Sequence, residues 1–411
     1  MTKRSVVSVG ATLLATSLIM AGCGSRGGNE SSTSAGGGDN GGSTKVAKIG
    51  VIAPLSGDLA ALGLGIQNSV DLAIKQANES NAIPGWKLEI APEDDQASAD
   101  VGKNAATKLA GDKDVIGVVG TLNSSVALQV QPVLAAANIV QVSPANTGVS
   151  LTKGDDAANP KRPFPTYFRT CTTDAVQGPF AARYLFEKAG LKQVATIHDK
   201  KAYGQGLVEA FTAEFEKLGG TVVAAETINP DDDKYDPVIS AIKPKAPQAV
   251  YYGGEYPQAG PLSQQMKAQG LNVPLMGGDG IFDPKFIELA GSGSDGDLAT
   301  SVGAPTDTTA AGKAFLEQYK TAGYKDPSAA YGGYSYDAAN AIINALKVSL
   351  KDADSVEAAK QNTITELGKI DFEGVTGKVS FDEFGDTTSK VLTVYKVTGG
   401  EWKAESTDSF D

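Results

Sequence analysis

Residues 47–57, AKIGVIAPLSG, read as a buried strand running into a turn, and the pattern that follows them decides the fold. Residues 65–80, GIQNSVDLAIKQANES, carry apolar side chains at helical spacing, and residues 87–95, KLEIAPEDD, return to strand character. The alternation continues with a helix at 99–111, a strand at 115–121, a helix at 124–138 and a short apolar strand at 139–146 that ends on Pro144 and small polar residues. Strand–helix–strand units need crossover connections, and crossovers set strands parallel with helices over both faces of the sheet.

A Pro-rich crossing, NPKRPFPTYFRT at 159–170, interrupts this pattern, and the same grammar then restarts. Helices are predicted at 178–190, 203–220 and 261–270, and strands at 193–200, 221–228, 249–255 and 273–280. Two such blocks predict an α/β chain of two Rossmann-like lobes, each with a parallel-sheet core. The 411 residues suffice for two domains at about 100–200 residues each. The C-terminal part reads as helices at 310–323, 335–350 and 355–369, then a hairpin of GKVSF (377–381) and KVLTVYKV (390–397) with WKA beyond it, the whole folding back onto the lobes.

The N-terminus carries a different message. Lys3 and Arg4 precede an apolar run from Val6 to Met20, the layout of a secretory signal peptide. Its end, Met20-Ala21-Gly22-Cys23, resembles a bacterial lipobox, which implies cleavage after residue 22 and a lipid on Cys23. Residues 24–44, GSRGGNESSTSAGGGDNGGST, have too little apolar surface to offset backbone ordering and are expected to form a disordered tether reaching roughly 25 Å. No later apolar run approaches the ~18 residues of a membrane helix. The expectation is an extracytoplasmic protein held to the cell membrane by lipid alone, of the kind found on Gram-positive surfaces. Without Lys3 and Arg4 the balance is 34 basic against 48 acidic residues, or -14, which opposes binding to nucleic acid. With Cys23 lipidated, Cys171 has no intramolecular disulfide partner.

In open α/β sheets ligands bind beyond the carboxyl ends of the strands, so the residues following each strand are the site candidates. Thr121-Leu122-Asn123-Ser124-Ser125 opens a helix, where free amides, the helix dipole and hydroxyls suit a carboxylate, although a serine there is commonly just an N-cap. Ala145-Asn146-Thr147 offers polar groups at the same sheet edge. In the second block, His198 to Gly204, Gly253 to Pro257 and Gly277 to Gly280 follow strands, and their glycines let Glu255 and Asp279 face a small ligand. A carboxylate on one lobe and a helix start on the other suit a zwitterion.

Taken in order, GVIAPLSGDLAALG (50–63), VGTLNSSVA (119–127), VSPANT (142–147), IHDKKAYGQG (197–206), VYYGGEYPQAG (250–260), PLMGGDGI (274–281) and AAYGGYSYDAAN (329–340) resemble the type I periplasmic binding proteins of the leucine/isoleucine/valine-binding kind. The resemblance implies two lobes joined by a three-crossing hinge, closing over an amino acid and presenting it to an ABC importer. It implies that Ser124, Ala145 and Thr147 hold the α-carboxylate and ammonium, with Leu122 and Asn123 walling the pocket. Tyr203 would cover the ligand, Asp279 would pair with its ammonium, and Tyr331 and Leu62 would bound its side chain. Lobe one would comprise 45–171 with 304–371, lobe two 172–303 with 372–411, the crossings lying near 169–173, 302–305 and 372–377. The expected partners are a branched-chain or other aliphatic amino acid and a permease, with no cofactor or metal, and the protein is expected to be monomeric. Another amino acid, an amide or urea, or a sensory role, are the alternatives.

The chain departs from that family at three points. The family's disulfide near the first-lobe site is absent, its positions being Ala97 and Asn123, and Asp279 is one methylene shorter than the glutamate common there. Glu255 stands where the family often has an aromatic. If it points inward, two carboxylates face one ammonium; if Tyr256 does, an apolar wall is restored. Enzyme chemistry finds little support. His198 is the only histidine, no GxxxxGK occurs, Gly63-Leu64-Gly65 and Gly204-Gln205-Gly206 do not complete GxGxxG, and Glu93-Asp94-Asp95 reads as solvated or capping acids.

Overall fold

The computed structural model describes residues 44–410. The signal segment, Cys23 and the tether up to Ser43 lie outside the described residues. The first sheet is built from β1 (Lys45–Ala53), β2 (Trp86–Asp94), β3 (Val115–Gly120), β4 (Val140–Ser143) and β5 (Tyr167–Arg169), in the order β2-β1-β3-β4-β5 and parallel throughout. Its crossovers are α1 (Ala60–Glu79), α2 (Ala99–Gly111), α3 (Ser124–Ala136) and the single turn α4 (Ser150–Lys153). Helices cover both faces, which is why VIGVVG of β3 is apolar without alternation and wholly buried.

The second lobe begins with α5 (Asp174–Arg183) and alternates β6 (Gln193–His198), α6 (Ala202–Lys217), β7 (Thr221–Thr227), α7 (Asp236–Ile242), β8 (Ala249–Gly253), α8 (Tyr256–Ala268), β9 (Leu275–Gly277), α9 (Pro284–Ala290) and β10 (Leu298–Thr300). The chain then returns to the first lobe with α10 (Ala310–Thr321), α11 (Gly332–Ser349) and α12 (Val356–Leu367). There Trp86 Nε1 donates to the Leu350 carbonyl at 3.1 Å. A small antiparallel pair, β11 (Asp371–Gly374) and β12 (Gly377–Ser380), precedes β13 (Val391–Thr398) and β14 (Glu401–Ser409), which complete the second sheet as β14-β13-β10-β9-β8-β6-β7.

The alternating reading holds, with local differences. The first helix starts at Ala60 instead of 65, because Gly63 lets its first turn press on the end of β1: a Cβ there would meet the Pro54 carbonyl oxygen at 1.9 Å. GKVSF and KVLTVYKV do not form the expected hairpin. β12 pairs back with β11, whose turn is anchored by Asp337 accepting from the amides of Val375 and Thr376 at 2.9 and 2.8 Å, whereas β13 pairs with β10 and β14. The two segments belong to different sheets because residues 381–390 between them are tied elsewhere. Asp386 accepts from Arg169 Nε at 2.6 Å, and Arg169 N–H donates to the Gly385 carbonyl at 3.0 Å.

Candidate functional site

The strand ends of both lobes converge on a narrow cleft lined by Leu62, Leu122, Asn123, Ser124, Ala145 and Tyr331 on one side and Tyr203, Glu255, Asp279 and Gly280 on the other. Every residue expected in the pocket except Thr147 lies on this lining, and Gly280 joins them.

The first-lobe wall is held by side chains beneath it. Ser143 Oγ donates to the Thr121 carbonyl at 2.9 Å and accepts from the amides of Ala145 and Asn146, while Asn146 Nδ2 donates to the Leu122 carbonyl at 2.8 Å. Ser124 is the first residue of α3, and no side chain caps that helix; the Ser124 hydroxyl instead accepts from the Gly148 amide at 3.2 Å. An uncapped helix start in a cleft leaves amides for an anion. Fully buried Arg169 fixes the next loop, donating Nη1 to the carbonyls of Asn146 and Gly148 at 2.7 and 2.9 Å.

Asp279 follows β9 and is buried with both oxygens engaged. Tyr203 donates to Oδ1 at 2.9 Å, and Tyr331, from the other lobe, donates to Oδ2 at 2.6 Å. Burial pushes the Asp279 carboxyl up, and the hydrogen bonds from the Tyr331 and Tyr203 hydroxyls oppose that shift. Among the described residues no cation pairs with it, so a ligand ammonium is its natural counter-charge.

Glu255, not Tyr256, faces the cleft. Tyr256 turns out of the lining and donates its hydroxyl to the Asp58 carbonyl across the lobes. The Glu255 carboxylate does not stand alone: Asn123 Nδ2 donates to Oε1 at 2.7 Å and Lys201 Nζ to Oε2 at 2.9 Å. Lys201 also lies 3.9 Å from Asp199, whose carboxyl is pushed up to about 7 by burial and by Glu255. Burial pulls the Lys201 ammonium down, but Glu255 and Asp199 outweigh it and hold the group above its ordinary value. The sequence-based worry about two carboxylates facing one ammonium is met by a lysine that sequence reasoning did not single out.

Thr147 sits behind the lining, where its carbonyl accepts from the Asp174 amide at 2.9 Å. Asp174, at the start of α5, is buried, and burial pushes its carboxyl up to about 8. Gln177, one turn on, reaches the neighbourhood of Asp279. Neither was anticipated, although Asp174 in TTDAVQG carries the common signal of an acidic residue in a helix's first turn.

Residues weighed for other chemistry are accounted for locally. Glu93 pairs with Lys108 at 2.6 Å, Asp94 accepts from the amides of Leu55 and Gln96, and Asp95 accepts from the Ala97 amide. His198 Nδ1 accepts from the Lys200 amide at 3.1 Å. Gly204 and Gly253 allow close backbone approach, since a Cβ at Gly253 would meet the Gly204 carbonyl oxygen at 2.1 Å. Among the described residues no group of three or more His, Cys, Asp or Glu side chains is arranged to hold a metal ion.

Residues 46–401 match the model of the family described as periplasmic binding protein. The chain belongs to that family. Its members bind solutes outside the cytoplasm and are not enzymes, and among the described residues no helix is long and apolar enough to cross a membrane. This family member is 32% identical over 356 residues to the Leu/Ile/Val-binding protein BraC3 of Rhizobium johnstonii, covering 86% of this chain and 92% of that one. Among solved structures it resembles the leucine-binding protein LivK of Thermotoga maritima, with a TM-score of 0.78 and 25% identity over 88% of this chain and 99% of that one. It also resembles LivJ of Streptococcus pneumoniae in complex with isoleucine, with a TM-score of 0.77 and 28% identity over 89% and 99%.

Proposed function

We propose that this periplasmic binding protein captures a branched-chain or other aliphatic amino acid between its lobes and delivers it to an ABC importer. One observation carries the reading: Asp279 is a buried carboxylate oriented by Tyr203 and Tyr331, set in a cleft whose other lobe presents the uncapped start of α3. The ligand ammonium pairs with Asp279, and its carboxylate takes the amides and hydroxyl at Ser124 with help from Ala145, while Thr147 supports this wall from behind the lining. Its side chain lies against Leu62, Leu122 and Tyr331, with Tyr203 as the lid and Asn123 and Glu255 as the polar wall. The names of the relatives, which bind leucine, isoleucine and valine, support the same ligand class.

Closure turns on the chain passages 169–173 and 302–305 and on 381–390, which replaces the passage near 372–377 expected from the sequence because β11 and β12 pair with each other and their turn is held by Asp337 of α11. The affinity comes from bonds completed only in the closed state. The protein acts as a monomer, lipid-anchored through Cys23 to the outer face of a Gram-positive membrane, beside its permease. A small amide or another small amino acid is the second reading, favoured by the hydrogen-bonding wall of Asn123 and Glu255. A thermal-shift screen of the proteinogenic amino acids, urea and short amides, followed by calorimetry, tests both. Leucine, isoleucine or valine should raise the midpoint, because a ligand that binds only the native state stabilises it by mass action. A shift with amides alone would select the second reading, and no shift with any of them would overturn both.

A further inference from the structure

Lys201 lies outside the cleft lining, yet it is the cation that meets the wall of the cleft. Glu255 is 3% exposed, and its two oxygens are taken by Asn123 from one lobe and Lys201 from its own. Other charged or titratable groups around the pair are Asp199 and Asp231 beside Lys201, Tyr252 and Tyr331 beside Glu255, and Asp279 on the same lining. Apart from Lys201 none of these supplies positive charge.

The position of Lys201 is not explained by its helix. It occupies the N-cap of α6, where a cation opposes the helix dipole and where its side chain caps nothing. Its neighbour Lys200 turns away and donates to Asn229 Oδ1 at 2.7 Å. What the Lys201 ammonium gains there is Glu255.

We propose that Lys201 determines the charge selectivity of the cleft: by pairing with Glu255 from behind, it leaves Asp279 as the one uncompensated carboxylate, so the cleft takes amino acids with uncharged side chains and refuses cationic ones. This rests on the reading of the cleft as an amino-acid site. Without Lys201, a hydrocarbon side chain closing over Glu255 would bury an unpaired charge, which is strongly unfavourable, whereas a side-chain ammonium would take the place of the lysine.

The test is calorimetry with leucine and L-ornithine on wild type, Lys201→Met, Lys201→Arg and the double variant Lys201→Met/Glu255→Gln. Wild type should bind leucine and not ornithine. Lys201→Met should lose about tenfold or more in leucine affinity and gain ornithine binding by a similar factor. The arginine variant should restore the wild-type order, and the double variant should bind leucine more tightly than Lys201→Met does and lose the ornithine binding that Lys201→Met gained. Equal loss of both ligands, or an unchanged preference in Lys201→Met, would overturn the proposal and leave Lys201 a structural residue.

A ligand-free arm separates this failure from that of the amino-acid reading. If wild type binds neither ligand, that reading falls, and the pairing is judged from melting temperatures alone. Lys201→Met should melt below the double variant, because it alone leaves the buried Glu255 carboxylate without its cation. Identical melting temperatures for the two variants would sink the claim that Lys201 neutralises Glu255.

Discussion

Tyr331, on the return segment of the first lobe, donates its hydroxyl to Asp279 of the second at 2.6 Å, so the carboxylate placed to meet a ligand ammonium is also a joint between the lobes. Binding and closure therefore share an atom pair. Asp279→Asn keeps the side-chain shape and removes the charge, and a lost charge-assisted bond in a buried site is worth about 1.5–3 kcal/mol. Calorimetry should show amino-acid affinity falling by about tenfold to a hundredfold, with the far-ultraviolet circular dichroism unchanged. Wild-type affinity in this variant would remove Asp279 from the ammonium site.

Tyr331→Phe separates the two roles. It deletes one donor to Asp279 and leaves Tyr203 in place at 2.9 Å. The expected loss is about tenfold, carried by faster dissociation because the bond forms on closure. Stopped-flow measurement of association and dissociation checks this, and a loss confined to association would contradict the closure role.

The brace beneath the site should matter for stability. Arg169 is fully buried, pairs with Asp386 at 2.6 Å and holds the carbonyls of Asn146 and Gly148. Arg169→Met leaves Asp386 with Lys153 at 3.7 Å as its remaining partner. Breaking a buried pair from one side costs about 3–5 kcal/mol, which denaturant unfolding should report as a lowered midpoint. Lysine should rescue it poorly, since it lacks the planar fork that reaches four acceptors at once, on Asp386, Asn146, Gly148 and Thr152.

The proposed lipid anchor is tested separately from the site. Cys23→Ala should move the protein from the membrane fraction to the soluble fraction, because no later segment of the described residues is apolar and long enough to span. Continued membrane association of the variant would require another anchor.

What the sequence made legible and what it hid follow from range. Strand-end loops such as Leu122-Asn123-Ser124 and Gly278-Asp279-Gly280 are readable because the parallel-sheet rule puts them at one edge, wherever the chain later goes. Strands β5 and β10 have three residues each and α7 has seven, too few to show a period. Lys201 escaped because its role depends on reaching Glu255, 54 positions on, and no local pattern encodes that meeting. The false hairpin at 377–397 had the same origin: alternation identified the strands, but partner choice was decided by Asp337 and Asp386.

Asp174 couples the stability of the fold to pH. Its carboxyl is raised to about 8 in the folded protein by burial, against about 3.9 in an unfolded chain. Between these values the folded state keeps a proton that the unfolded state has lost, so this group lowers stability as the pH rises through that window. Below the unfolded value both states are protonated, and the penalty vanishes. Asp174→Asn removes the titration while keeping the shape. Its melting temperature should match that of wild type near pH 4 and exceed it increasingly toward pH 8. Parallel profiles for the two proteins across that range would show that Asp174 is already ionised in the fold, with a partner supplied by the same buried neighbourhood of Thr147 and Gln177.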